Sequence, residues 1–183
     1  MATITLRPTS ASASNWSDIA NAYDGSTTST ATVLISKNNY SSSTATFNFN
    51  TSSIPSSATI TGATLNVRAK ASTASGITMY VDLNGSSSDR IINQSLTTTE
   101  TNYSADVTNS FNSLSSILIT GYMSSNSSIT FSLYEVWIDV NYIEPTVSKT
   151  QLVSIGSSVI TSAYIGNTSI TRIYLGDTLI FEN

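Results

Sequence analysis

Eleven Asp and Glu side chains are the main acid–base groups of this 183-residue chain, because it contains no His and no Cys. Without His there is no Ser-His or Cys-His nucleophile pair and no common metal ligand. Without Cys there is no disulfide framework and no thiolate site, and redox compartment cannot be read. A hydrolase could use two carboxylates, but no spacing here nominates a pair. Asp82 and Asp89 flank a Leu-Asn-Gly-Ser-Ser-Ser loop that could offer oxygen ligands to a hard cation, yet the pattern reads first as a polar turn with solvated ends. Asp24-Gly25 is read the same way, a turn before a calcium loop. The sequence therefore predicts a protein that is not an enzyme and uses no cofactor or metal.

Aromatic rings are the second kind of group that could recognise a ligand. Trp16, Tyr23 and Tyr40 lie in loop-like sequence near the N-terminus, with Asp24 beside Tyr23. Rings can stack on sugar faces, and a neighbouring Asp can bind hydroxyls, so these four form a candidate glycan contact. The competing reading packs them on the core or on a neighbouring subunit. Trp137 stands apart, because it falls on the parity opposite to Val136, Ile138 and Val140. It marks either a contact surface or a covered second sheet face.

The elements that carry these groups are strands. Ala2, Ile4 and Leu6 alternate with Thr3, Thr5 and Arg7, and the same period of two runs through Ala45–Phe49, Ala63–Val67 and Ile77–Leu83. Shorter strand-like runs sit at Thr32–Ser36, Arg90–Leu96 and Ser116–Gly121. Two long runs switch parity, one at Thr61-Gly62 and one between Leu133 and Val136, and each switch predicts a bulge or corner. Val107, Phe111 and Leu114 have helical spacing, and Asp106 or Thr108 could cap that short helix. The expected fold is all-β, an antiparallel jelly-roll β-sandwich over residues 1–144.

Glu144-Pro145 reads as a boundary and 145–149 as a linker. Beyond it, VSIGSSVITS, AYIGNTSITR and IYLGDTLIFE form a ten-residue repeat, with Gly156, Gly166 and Gly176 each followed by Ser, Asn or Asp. Gly-Ser, Gly-Asn and Gly-Asp fit two-residue hairpin loops with glycine at positive φ. Residues 150–183 are thus expected to form a small four-stranded β-meander, with strands near 150–155, 158–165, 168–175 and 178–182. The alternative, coils of a β-solenoid, is less favoured by these loops. So small a module buries little alone. Ile160, Tyr164, Ile170, Tyr174, Leu175, Ile180 and Phe181 are therefore read as an oligomerisation or attachment surface.

Composition limits the partners. Lys and Arg number seven and the net charge is −4, which argues against nucleic acid. Ser, Thr and Asn number 36, 28 and 16, so short neutral side chains coat the surface. They lose little entropy on ordering, which suits packing against other subunits. No apolar run is long enough to span a membrane, and the N-terminus reads as a strand rather than a signal peptide. Synthesis in the cytoplasm is expected.

The stretch from Phe47-Asn48-Phe49 through Ile54-Pro55 to Ala63-Thr64-Leu65-Asn66-Val67 resembles the signature of DNRLRE-type jelly-roll domains. Asp106-Val107-Thr108 followed by Phe111 is similar to that family's entry to a short helix, and Val136–Tyr142 resembles its last core strand. The resemblance spans residues 3–143 and implies a fold more than a function. Ile4–Ser10 and Asn21–Gly25 also resemble the beginnings of jelly-roll modules in tailed-phage virion proteins, and residues 173–180 resemble short β-repeats at the ends of phage tail and head-surface proteins. These likenesses imply a structural protein on the surface of a virion, decorating capsid or tail, made in the host cytoplasm. Its partners would be further copies of itself, as a trimer, and a capsid or tail protein. The alternative is a carbohydrate- or receptor-binding module of a tail fibre or baseplate, with a host-surface glycan as ligand.

Overall fold

The structure is a computed structural model that describes residues 1–26, 28–36, 43–74, 76–123, 127–144, 163–170, 172–175 and 178–182. It divides into two compact units, Met1–Glu144 and Pro145–Asn183.

The first unit holds ten strands: β1 (Ala2–Leu6), β2 (Ser10–Ala13), β3 (Ala31–Ile35), β4 (Thr44–Asn48), β5 (Thr59–Ala71), β6 (Ile77–Leu83), β7 (Arg90–Ser95), β8 (Thr101–Asp106), β9 (Ser116–Met123) and β10 (Ile129–Ile143). They form two antiparallel five-stranded sheets. In the first, the order is β1-β10-β5-β8, and β3 pairs with the other end of β10 on the same side as β1. In the second, the order is β2-β4-β9-β6-β7. From β3 to β10 the chain alternates between sheets except at the β6–β7 hairpin. That alternation is the jelly-roll order, and the all-β sandwich expected from the period-two pattern is what the chain builds.

Alternation decides what lies between the sheets. Ala63, Leu65, Val67 and Ala69 of β5 and Val136, Ile138 and Val140 of β10 face inward with Ile117, Ile119, Met79 and Val81 of the second sheet, all buried. Phe47 and Phe131 are among the largest fully enclosed side chains. Gly121 of β9 is glycine for a packing reason. A Cβ there would lie 2.8 Å from both Ile35 Cδ1 and Phe131 Cδ1, side chains that reach across from the first sheet.

Both parity switches are bulges. Leu133 pairs with Ala69 but Glu135 with Arg68, which leaves Tyr134 as the extra residue. Asn141 pairs with Gly62 but Tyr142 with Ile60, which leaves Thr61 extra. The helical spacing at 107–114 becomes a 3-10 helix, Thr108–Ser113, with Val107, Phe111 and Leu114 buried. Its entry is tied down by Asp106, whose Oδ1 accepts from the Thr108 backbone N–H at 2.9 Å and the Thr108 hydroxyl at 2.6 Å. The Thr108 Oγ1 in turn accepts from the Ala63 backbone N–H at 2.8 Å, docking the helix on β5 beside its bulge.

In the second unit, β11 (Ala163–Ile165) pairs with β12 (Thr168–Ile170), and β13 (Arg172–Leu175) pairs with β14 (Thr178–Glu182). Gly166 sits at φ +61° in the two-residue turn between Ile165 and Thr168, the conformation a Gly-Asn hairpin needs. Leu175 pairs with Thr178, so the next hairpin also has a two-residue connection. Among the described residues these are two separate two-stranded sheets, and the strand expected over 168–175 is divided between β12 and β13. Gly156, Ile160 and Gly176 lie outside the described residues, as do the strand expected near 150–155 and residues 158–162 of the strand expected near 158–165.

Candidate functional site

The N-terminal aromatic loop is built onto the core. The Trp16 ring meets Phe131 edge to face with centroids 5.1 Å apart, and Tyr23 meets Phe47 in the same way at 6.1 Å. Both rings pack against the buried cluster, and the Trp16 Nε1 is buried without a hydrogen-bond partner. Asp24 organises its own turn. Its Oδ1 accepts from the Ser26 backbone N–H at 2.7 Å and its Oδ2 from the Ser29 hydroxyl at 2.8 Å. These bonds, the Ser26 N–H first, hold its carboxyl below the usual range. Tyr40 lies outside the described residues. Trp16 and Tyr23 thus each set a ring against a core phenylalanine.

The Asp82–Asp89 loop is likewise structural. Asp82 is buried and receives Arg90 through Nε at 2.8 Å and Nη2 at 3.3 Å. The Arg90 guanidinium also lies 3.9 Å from the centre of the Tyr80 ring. Asn84, at φ +50°, bonds the loop to the chain entering β9: its Oδ1 accepts from the Ser115 N–H at 3.0 Å and its Nδ2 donates to the Ser113 carbonyl at 3.1 Å. A shallow depression of about 370 Å³ opens here between Leu83, Ile91 and Ser110. Among the described residues, no three acidic side chains stand close enough to hold a metal ion. Nor is any described helix long and apolar enough to cross a membrane.

The third candidate is the solvent face of the first sheet. Strand register lays Ser104, Asn66 and Trp137 in one row across β8, β5 and β10, and Asp106, Thr64, Asp139 and Thr5 in the next. Trp137 is half-buried, and its Nε1 donates to Asp139 Oδ2 at 2.9 Å. A bond from the ring edge to the residue two further along its own strand lays the indole along that strand. Asp139 Oδ2 also accepts from Asn66 Nδ2 at 3.1 Å, and its Oδ1 from the Thr5 hydroxyl at 2.7 Å. Asn66 is 5% exposed although it points away from the core. Its Oδ1 accepts from Ser104 Oγ at 2.8 Å and Asn102 Nδ2 at 3.2 Å. Every strand of this face except β3 thus contributes to one hydrogen-bonded layer around the tryptophan.

Charges flank that layer in pairs. Arg7 Nε lies 2.8 Å from the buried Glu135 carboxylate. Arg68 Nε lies 3.0 Å from Glu100, close enough for an ion pair but off hydrogen-bonding alignment, and the guanidinium sits 5.8 Å from the Tyr134 ring centre. Lys70 Nζ lies 5.4 Å from the same ring. Interaction with the Tyr134 side chain, hydrogen bonding first, holds the Lys70 amine above its ordinary value. Tyr134 reaches the two cations because the bulge at that residue turns it out of the inward series.

Sequence reasoning marked Trp137 by its parity but did not bring Asn66 or Asn102 to it, since they lie on other strands far away in sequence, whereas Asp139 stands two residues on in the same strand.

No family model matches the chain, so its likeness to DNRLRE-type domains rests on the motifs alone. No curated protein matches either. Among solved structures, the chain is similar to a truncated AlyQ with CBM32 and alginate lyase domains, at 19% identity and a TM-score of 0.46, over 79% of this chain and 34% of that one. The chain thus spans about a third of that protein.

Proposed function

We propose that this protein is a non-enzymatic surface protein whose sandwich attaches to carbohydrate and whose C-terminal unit joins it to a larger assembly. The observation that carries the first half is Trp137, half-buried on a sheet face and held by its ring N–H to the Asp139 carboxylate among amides and hydroxyls. An aromatic platform beside groups that both donate and accept hydrogen bonds is the chemistry that sugar faces and hydroxyls need. Printing the full-length protein against a glycan array is the direct test. Binding to a defined subset of glycans is expected, and silence across the array and across host cells removes the carbohydrate reading.

A structural role on a virion is the second half of the proposal, and the hairpins favour it. Two-stranded sheets of three to five residues per strand are marginal in water unless they pack on something else. Tyr164, Ile170, Tyr174, Leu175, Ile180 and Phe181 lie on these strands. The partners would be further copies of this chain, as a trimer, and a capsid or tail protein at the virion surface. A defined oligomer is expected by light scattering. A strict monomer at high concentration that also fails to bind virions lacking it counts against this half alone.

A further inference from the structure

We propose that the solvent face of β1, β10, β5 and β8 is the carbohydrate site, that Trp137 is its stacking platform, and that its ligand is an uncharged oligosaccharide. This rests on the carbohydrate reading above and adds the place and the class of sugar.

The place follows from which polar atoms are spent and which are left. Asn66 and Asp139 bond mainly to each other and to Ser104, Thr5 and Trp137, so they fix the layer. Around them, other groups face solvent with capacity in hand. The Asn141 side-chain oxygen accepts from Thr3 at 2.8 Å, while its amide nitrogen makes no bond within the described chain. Gly62, its cross-strand neighbour, has no side chain over that nitrogen, where a Cβ would touch it at 3.5 Å. The Thr64 hydroxyl is exposed between Asp106 and Asp139 and makes no bond of its own among the described residues. Asn102 uses its nitrogen on Asn66 and Ser104, and its oxygen makes no bond among the described residues. These groups surround the indole in two dimensions on a rigid sheet, so binding needs little ordering of side chains.

The class follows from charge. Arg7 and Arg68 of this face are paired with Glu135 and Glu100, and Lys70, which keeps its charge over the Tyr134 ring, lies four residues along β5 from Asn66, away from the indole. Asp139 adds a further carboxylate, its oxygens already filled by hydroxyl, indole and amide donors. A uronate or sulfate would need an unpaired cation, and its charge would meet Asp139 beside the ring. A neutral sugar needs only the ring and the open amide and hydroxyl groups.

Full-length protein run in native gels containing dextran, glucomannan or galactan, and separately polygalacturonate or hyaluronan, tests both points. Retardation by at least one neutral polysaccharide is expected. Trp137→Ala should weaken it at least tenfold and Asn141→Ala severalfold, with near-ultraviolet dichroism confirming that both variants fold. In Trp16→Phe, where Trp137 is the one remaining indole, the same polysaccharide should change the fluorescence. Binding that survives Trp137→Ala and Asn141→Ala overturns the site but leaves the carbohydrate reading standing. Retardation by the acidic polymers alone overturns the ligand class. Failure with every polymer and on the glycan array overturns both.

Discussion

The two outer faces of the sandwich share one core and almost nothing else. On the first sheet, outward positions of β5 and β10 carry Asn66, Arg68, Lys70, Glu135, Trp137 and Asp139, and two of these are buried despite pointing out. On the second sheet, outward positions of β4, β9 and β6 carry Thr44, Thr46, Leu118, Thr120, Thr78 and Tyr80, with the Asp82–Arg90 ion pair toward the β7 edge. The first face is a layer in which polar groups hold one another. The second is a coat of separate hydroxyls with a tilted Tyr80–Tyr122 pair, centroids 6.0 Å apart. The difference is physical. Long amide, carboxylate and guanidinium side chains span the gap between strands and bond across it, whereas Thr hydroxyls bond mostly to water. A face that is already hydrogen-bonded is rigid, and a rigid face with an aromatic ring can recognise a ligand.

The largest effect should come from the core that both faces share. Phe131 is fully enclosed, stacks against Trp16 and lies under Gly121 of the opposite sheet. Phe131→Ala should cost about 3–5 kcal/mol by urea unfolding, the usual range for such a cavity. Because the sheets share this ring, tryptophan fluorescence and far-ultraviolet dichroism should report one coincident transition for the sandwich. Two separated transitions would mean that the faces are independent layers, and the comparison would have to be redrawn.

The next pair of variants tests the contrast directly. Asn66→Ala removes an acceptor used by Ser104 and Asn102 and a donor to Asp139. Leaving such groups unmet should cost about 2 kcal/mol. Thr120→Ala, near the middle of the other face, should stay within about 0.5 kcal/mol of the parent, as ordinary surface substitutions do. Equal costs for the two would show that the hydrogen-bonded layer adds nothing beyond a surface coat.

This contrast was only half legible in the sequence. Parity located the bulges at Thr61 and Tyr134, because an extra residue shifts every later side chain to the other face. The Gly166 hairpin was legible because its turn chemistry is local. Strand β2 was not, since Ser10-Ala11-Ser12-Ala13 alternates too weakly in polarity to register, and β8 offers only Tyr103 and Ala105. The site was beyond reach for a related reason. Asn66 and Asp139 are 73 residues apart, and nothing in either local pattern names the other. The loop aromatics drew attention because loops usually carry function. Trp16 and Tyr23 each set a ring against the core, at Phe131 and Phe47.

The smallest effect concerns pH, at the edge of the hydrogen-bonded face. The Asp106 carboxyl is held below its usual range, chiefly by the Thr108 hydroxyl and then by the Thr108 N–H. Its folded value is therefore lower than its unfolded one, which lies near about 3.9. Such a group contributes stability above the unfolded value and loses that contribution as pH falls through the folded one. Asp106→Ala should thus melt below the parent at pH 7, and the gap should narrow as pH drops below about 4. Asp24, lowered by Ser26 and Ser29 in a turn away from either face, should behave alike in sign. Melting curves of both alanine variants from pH 7 to pH 2 measure the two gaps. A gap at Asp106 that stays constant to pH 2 would mean that its carboxylate holds no charge-dependent bond to Thr108, and that the 3-10 helix is docked on β5 by its backbone contacts with Ala63 and its buried side chains.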